Sequence, residues 1–264
     1  MKNIILLVVI MTAVGQVAWS QGPPITGDKP VMLGGNTWLI KSLTEIRFTD
    51  QGNFIKAPIM GHYLPSANSL IGIHIPFVSS NIDGSEPIKS LGDIELLGKY
   101  QFYRKDGTGK TFRMVAKTLQ VIPTGEPLGV QGISLDTYQS YVGLVAGYES
   151  LKYGISNELG FNFQPDNDVD DLRHKLSFGL PLTKPTYPVK KFNLYFEYQN
   201  SWFTTLNKFM LLYAQGIQYA KGRFTIEGAV QFPLIQTTSD PRICLLYTSP
   251  SPRDATLSRM PSSA

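Results

Sequence analysis

The chain has 264 residues, a formal net charge of +4 and a single cysteine, with no concentration of basic residues that would call for nucleic acid. Its 24 Gly, 18 Pro, 13 Tyr and 14 Phe favour strands and turns over helices. Cys244 stands alone, so a disulfide framework is excluded and stability must come from a large core or a closed barrel.

The chain opens MKNIILLVVIMTAVGQVAWSQ. Lys2 supplies a positive start, and Ile4–Val14 is an apolar stretch too short to span about 30 Å of hydrocarbon as a helix. Ala18-Trp19-Ser20 places small residues for a signal peptidase, which predicts cleavage after Ser20 and an exported protein. Gln21 stands where a lipoprotein needs cysteine. Residues 21–37 are expected to form a periplasmic lead-in. No later run of about 18 apolar residues follows, so helical membrane spans are excluded.

From Trp38 to Gln236 the sequence carries eleven strand-like runs, near 38–49, 54–63, 69–78, 92–104, 111–122, 134–148, 153–163, 172–182, 191–202, 208–219 and 223–235. Many approach the ~9–11 residues that a tilted membrane strand needs. Period-2 alternation puts Ile71, Ile73, Ile75 and Phe77 opposite Gly72 and His74. The same alternation sets Phe192, Leu194, Phe196 and Tyr198 against Asn193, Tyr195, Glu197 and Gln199. The second and tenth runs are less regular.

Ser90–Gly125 shows the pattern best, as two strands about a polar turn, Lys105–Lys110. Ile94, Leu96, Gly98, Tyr100 and Phe102 share one face, and Glu95, Lys99, Gln101 and Tyr103 the other. Next, Phe112, Met114 and Ala116 oppose Arg113 and Lys117. An oily face opposite a charged one suits a soluble sheet with its charges outside, or a membrane barrel with lipid outside and a wet lumen.

Connection lengths favour the barrel. Ser79–Gly92, Pro123–Ile133 and Gln164–Asp171 are long, whereas Lys105–Lys110, Glu149–Lys152 and Ala220–Gly222 are short, as outer loops and periplasmic turns would be. Thr183–Lys190 and Phe203–Asn207 depart from this rule. Tyr100, Phe102, Tyr103, Tyr148, Tyr153, Trp202 and Phe203 cluster near strand ends, where aromatic girdles meet the membrane surface. Bacterial barrels of this kind have even strand numbers, so eleven runs imply a twelfth. After Arg242 the chain turns into ICLLYTSPSPRDATLSRMPSSA, which resembles a translated sequencing adaptor. Residues 38–242 are therefore expected to form an incomplete barrel, and 243–264 a non-native tail in place of the last strand.

Chemistry is sparse. Gly109-Lys110-Thr111 ends like a phosphate-binding loop but lies between two strands, with Arg104 where the first glycine belongs. Asp166, Asp168, Asp170 and Asp171 lack EF-hand spacing and read as a solvated loop. His62, His74 and His174 have no metal-ligand spacing and no nucleophile motif nearby; His74 should face the lumen and His174 lipid. No catalytic residue, metal site or cofactor is expected. The expected lumen-lining set is Glu95, Lys99, Arg113, Lys117, Glu158, Arg173, Lys175, Glu197 and Glu227. Such charges must be paired or hydrated, since an unpaired buried ion costs several kcal/mol. They could plug a narrow barrel as an ion-pair network or line a polar pathway.

Gly92-Asp93 followed by GKYQFYR, the strand ending Pro123-Thr124-Gly125, and the Gly/Tyr-rich YVGLVAGY resemble an outer-membrane channel family, over roughly Ser69–Pro233. The family is named for transporters of the meta pathway of phenol degradation. The resemblance implies a signal peptide, a 12-stranded antiparallel up-and-down barrel, and passage of small molecules, hydrophobic or aromatic ones among them. It supplies no catalytic residues. The expected function is a non-enzymatic outer-membrane channel or transporter whose partners are outer-membrane lipid and lipopolysaccharide. A structural or adhesive barrel, and an exported soluble binder, are the alternatives.

Overall fold

Strand side chains alternate across the sheet, so a strand with one oily and one charged face is at rest only between two different media. The computed structural model describes residues 24–30, 32, 34–49, 52–82, 86–126, 137–165, 170–183, 190–221, 224–236 and 243–248. The strands are β1 (Thr37–Thr49), β2 (Gly52–Ser66), β3 (Ser69–Ile82), β4 (Ile88–Leu91), β5 (Ile94–Gly107), β6 (Lys110–Ile122), β7 (Gln139–Ser150), β8 (Gly154–Phe163), β9 (Asp171–Pro181), β10 (Lys190–Phe203), β11 (Lys208–Lys221), β12 (Phe224–Gln236) and β13 (Ile243–Thr248). All pairings are antiparallel. Twelve strands form an up-and-down meander, and β4 adds a short rung to the end of β3. The last strand pairs with both β12 and β1, which closes the ring.

The inside-out assignment holds around that ring. Ile59, Ile71, Val142, Leu144, Leu159 and Ile217 project outward, each 50 to 62% exposed, while Glu158, Asn193 and Gln218 face inward at 2% or less. A soluble sheet would reverse these two sets, because exposed oil and buried charge are both unfavourable in water. His74 lies on the inner wall, hydrogen-bonded to His62 at 2.9 Å. His174 lies on the outer face, bracketed by the amides of Asn157 (2.9 Å) and Asn200 (3.1 Å).

Three features differ from the sequence reading. The least regular run becomes β2, with 15 residues the longest strand of the sheet. Its irregularity traces to Pro58, which offers no N–H: the β1 ladder passes from Ser42–Ile59 to Glu45–Lys56 and skips that position. Tyr103, expected inward, faces outward. A bulge between Gln101 and Tyr103 shifts the register by one, so Tyr103 pairs with outward-facing Met114 and packs edge-on against Phe112. Finally, the closing place, expected to stand empty, is held by Ile243–Thr248. That strand is short, covering only Leu43–Phe48 of β1 and Glu227–Gln231 of β12.

The β5–β6 hairpin is fixed at both ends. Its tight turn has Gly109 at φ 68°, a left-handed conformation that glycine adopts without strain, so Gly109-Lys110-Thr111 is a turn between strands. At the far end the two most distinctive motifs interlock: Gly125 N–H donates to Asp93 (3.1 Å) and Ile94 N–H donates to the Thr124 hydroxyl (3.0 Å). A Cβ on Gly125 would lie 2.6 Å from Gly92 Cα, so this approach requires glycine.

Candidate functional site

Closing twelve amphipathic strands brings their polar faces together, and with them the nine charged side chains singled out above. All nine sit on the inner wall. Glu95 on β5 bonds Lys56 on β2 (2.7 Å) and His74 on β3 (2.8 Å). Lys117 on β6 reaches Glu158 on β8 (2.8 Å), which also accepts the Tyr141 hydroxyl (2.8 Å). Arg173 pairs with Asp171 two residues before it on β9. Arg113 bonds the Thr111 hydroxyl at 3.2 Å. Glu227 accepts a short hydrogen bond from the Gln218 amide, which Asn193 also approaches at 2.7 Å.

Lys99, Lys175 and Glu197 lead to the main departure from the sequence reading. Residues 24–30, expected in the periplasm, fold into the lumen. Glu197 accepts the backbone N–H groups of Ile25 (2.6 Å), Thr26 (2.7 Å) and Gly27 (3.0 Å), along with the Thr26 hydroxyl. Three successive N–H groups converging on one carboxylate form an anion-binding nest. Lys175 donates to the Thr26 carbonyl at 3.2 Å. Asp28 then takes Lys99 on one carboxylate oxygen and Lys117, at 3.0 Å, on the other. Burial opposes the charge on Asp28, but Lys117 and Lys99 outweigh it and hold this carboxyl well below the ordinary carboxylate range. Lys29 forms an ion pair with Glu149.

Small wall residues make room for the segment. Pro30 lies against Gly147, where a Cβ would fall 2.6 Å from the proline ring. Ile25 packs with Tyr195 and Ala229. Met32 fills an inner apolar cluster of Leu64, Leu70, Leu97, Val115 and Val145. The Tyr141 ring lies over Gly143 and Gly160, with Lys117 Nζ 5.3 Å from its centre and Arg173 at 5.9 Å. Glu95, Lys99, Lys117, Glu158 and Arg173 thus form ion pairs on the inner wall, and the N-terminal segment lies against them.

Sequence reasoning missed Asp28, Lys41, Lys56 and Tyr141, and gave His62 no face. Strand alternation could have placed the last four on the inner face. Asp28 sits in the irregular stretch QGPPITGDKP, where no period assigns a face. Asp166 and Asp168 lie outside the described residues. Asp170 and Asp171 are engaged within the fold, Asp170 with Gln164 N–H (2.8 Å) and Asp171 with the Asn162 amide (3.0 Å). Among the described residues no group of three or more metal-ligating side chains could hold an ion.

No family model matches the chain, and no curated protein sequence does. Solved structures do. The COG4313 outer membrane channel from Pseudomonas putida F1 is similar to it with a TM-score of 0.57 and 13% identity, covering 87% of this chain and 99% of that one. The KdgM porin is similar with a TM-score of 0.50 and 9% identity, covering 79% and 98%. The likeness shows the fold: an outer-membrane type of β-barrel.

Proposed function

We propose that this chain is an outer-membrane channel for small molecules, held narrow by its own N-terminal segment. The observation that carries the reading is Asp28, a carboxylate delivered from outside the sheet into a lysine-lined lumen and held by Lys99 and Lys117. A wall that only needed internal pairing could have placed such an acid on a strand. A segment lodged through side-chain bonds, with no ladder hydrogen bonds of its own, can leave without breaking the barrel. The proposal includes export with cleavage after Ser20, insertion in lipid beside lipopolysaccharide, and transport without chemistry on the cargo.

Cargo with hydrophobic or aromatic character is the finer part of the proposal. It is supported by the inner cluster around Met32 and by the Tyr141 ring, which give a mainly polar lumen an apolar flank. The same character is what the resemblance to the meta-pathway transporter family implies. Liposome swelling tests the channel: proteoliposomes should admit small solutes, more rapidly for a variant lacking residues 24–30. A barrel impermeable in both forms would favour the structural or adhesive reading.

A further inference from the structure

We propose that the lysines around Asp28 form a binding site for small carboxylates with an apolar body, which the N-terminal segment fills with its own side chains. The inference rests on the channel reading and names its class of cargo. Lys99 and Lys117 occupy both oxygens of the Asp28 carboxylate. Two more cations stand near it. Lys175, on β9, holds only the Thr26 carbonyl and makes no salt bridge among the described residues. Lys41, on β1, makes none either and lies within electrostatic reach of Lys99 and Asp28.

The carboxylates facing these four lysines are Asp28 and Glu158, with Glu227 acting on Lys41 from farther away. Removing Asp28 would take from Lys99 its one salt bridge among the described residues and leave Lys117 with Glu158 alone. Leaving such cations buried and unmatched is strongly unfavourable, so whatever displaces the segment must replace its negative charge. The apolar half of the site adjoins the charged half. Leu97 is two residues from Lys99 on β5 and Val115 two from Lys117 on β6, a step of about 7 Å along the same inner face. The segment itself carries the matching pair: Asp28 on the lysines and, four residues later, Met32 in the cluster of Leu97, Val115 and Val145. A small aromatic carboxylate presents the same two features in one molecule.

The test uses the full chain in planar bilayers, with benzoate as the probe. Millimolar benzoate should raise the frequency of opening, while benzyl alcohol at equal concentration should not. Acetate, which lacks the apolar body, should act only at a distinctly higher concentration. Lys99→Gln and Lys117→Gln should each weaken the benzoate response by about tenfold, as expected for loss of one charge-assisted hydrogen bond. Heat-modifiable migration on gels verifies that both variants are folded. Equal action of benzoate and benzyl alcohol, or none by either on a channel that opens, would overturn the inference and leave the channel reading standing. Absence of any opening, even in a variant lacking residues 24–30, would overturn the channel reading itself.

Discussion

Asp28 is ionised in the lumen because two lysines outweigh the cost of its burial, and this sets the pH response of the segment. The docked carboxyl titrates below an undocked one, whose value is ~3.9. Its contribution to docking is therefore complete above about pH 4 and is lost as the pH falls through the docked value. Conductance recorded across a pH series should stay low near neutrality and rise on strong acidification. Asp28→Asn should open the barrel already at neutral pH and flatten the acid dependence. Glu197 is the second clasp. Glu197→Ala would leave three N–H groups without their acceptor, and a hydrogen bond to a charged group contributes about 1.5–3 kcal/mol. Endoproteinase Asp-N should then cut before Asp28 in folded protein, whereas wild type should resist.

At the scale of the strand, the two faces should respond oppositely to charge. Phe196 pairs with Phe178 on the lipid side and Glu197 faces inward, although the two are neighbours in sequence. Phe196→Arg should lower the unfolding free energy in lipid by about 2–4 kcal/mol if it lies near the midplane. Glu197→Arg should release the segment yet cost the barrel much less. Equal losses in urea titrations would contradict the assignment of faces. Period 2 made these faces legible in the sequence, since every unbroken run repeats a rule that the sheet enforces. It failed where the ladder itself changes phase. The bulge beside Tyr103 adds one residue that no polarity pattern announces, and β4 is four residues long, too short for a period to show. The interlock of Gly125 with Asp93 was visible only as a recurring motif, because its cause is a close backbone approach across 32 residues.

Over the whole molecule, closure turns twelve marginal strands into a barrel whose edges are unpaired only beyond the short last strand, and gathers their charges in one lumen. The architecture was legible because strand length, loop size and alternation all follow from spanning lipid. The content of the lumen was not. Residues 24–32 are irregular, and their position depends on polar side chains drawn from six strands: Lys99, Lys117, Glu149, Ser156, Lys175 and Glu197. The expected lumen set has five cations against four carboxylates, the one available hint that a further carboxylate comes from elsewhere. Gly147 reports on that fit: Gly147→Val should expel Pro30 while leaving the β6–β7 and β7–β8 ladders intact, so the variant should conduct more and remain heat-modifiable.

The most direct test of the central claim compares single-channel conductance of the full chain with that of a variant lacking residues 24–30, both refolded into the same bilayer. A barrel closed by its own N-terminal segment predicts small or rare openings for the full chain and larger, sustained ones for the variant. Equal conductance of the two would contradict it.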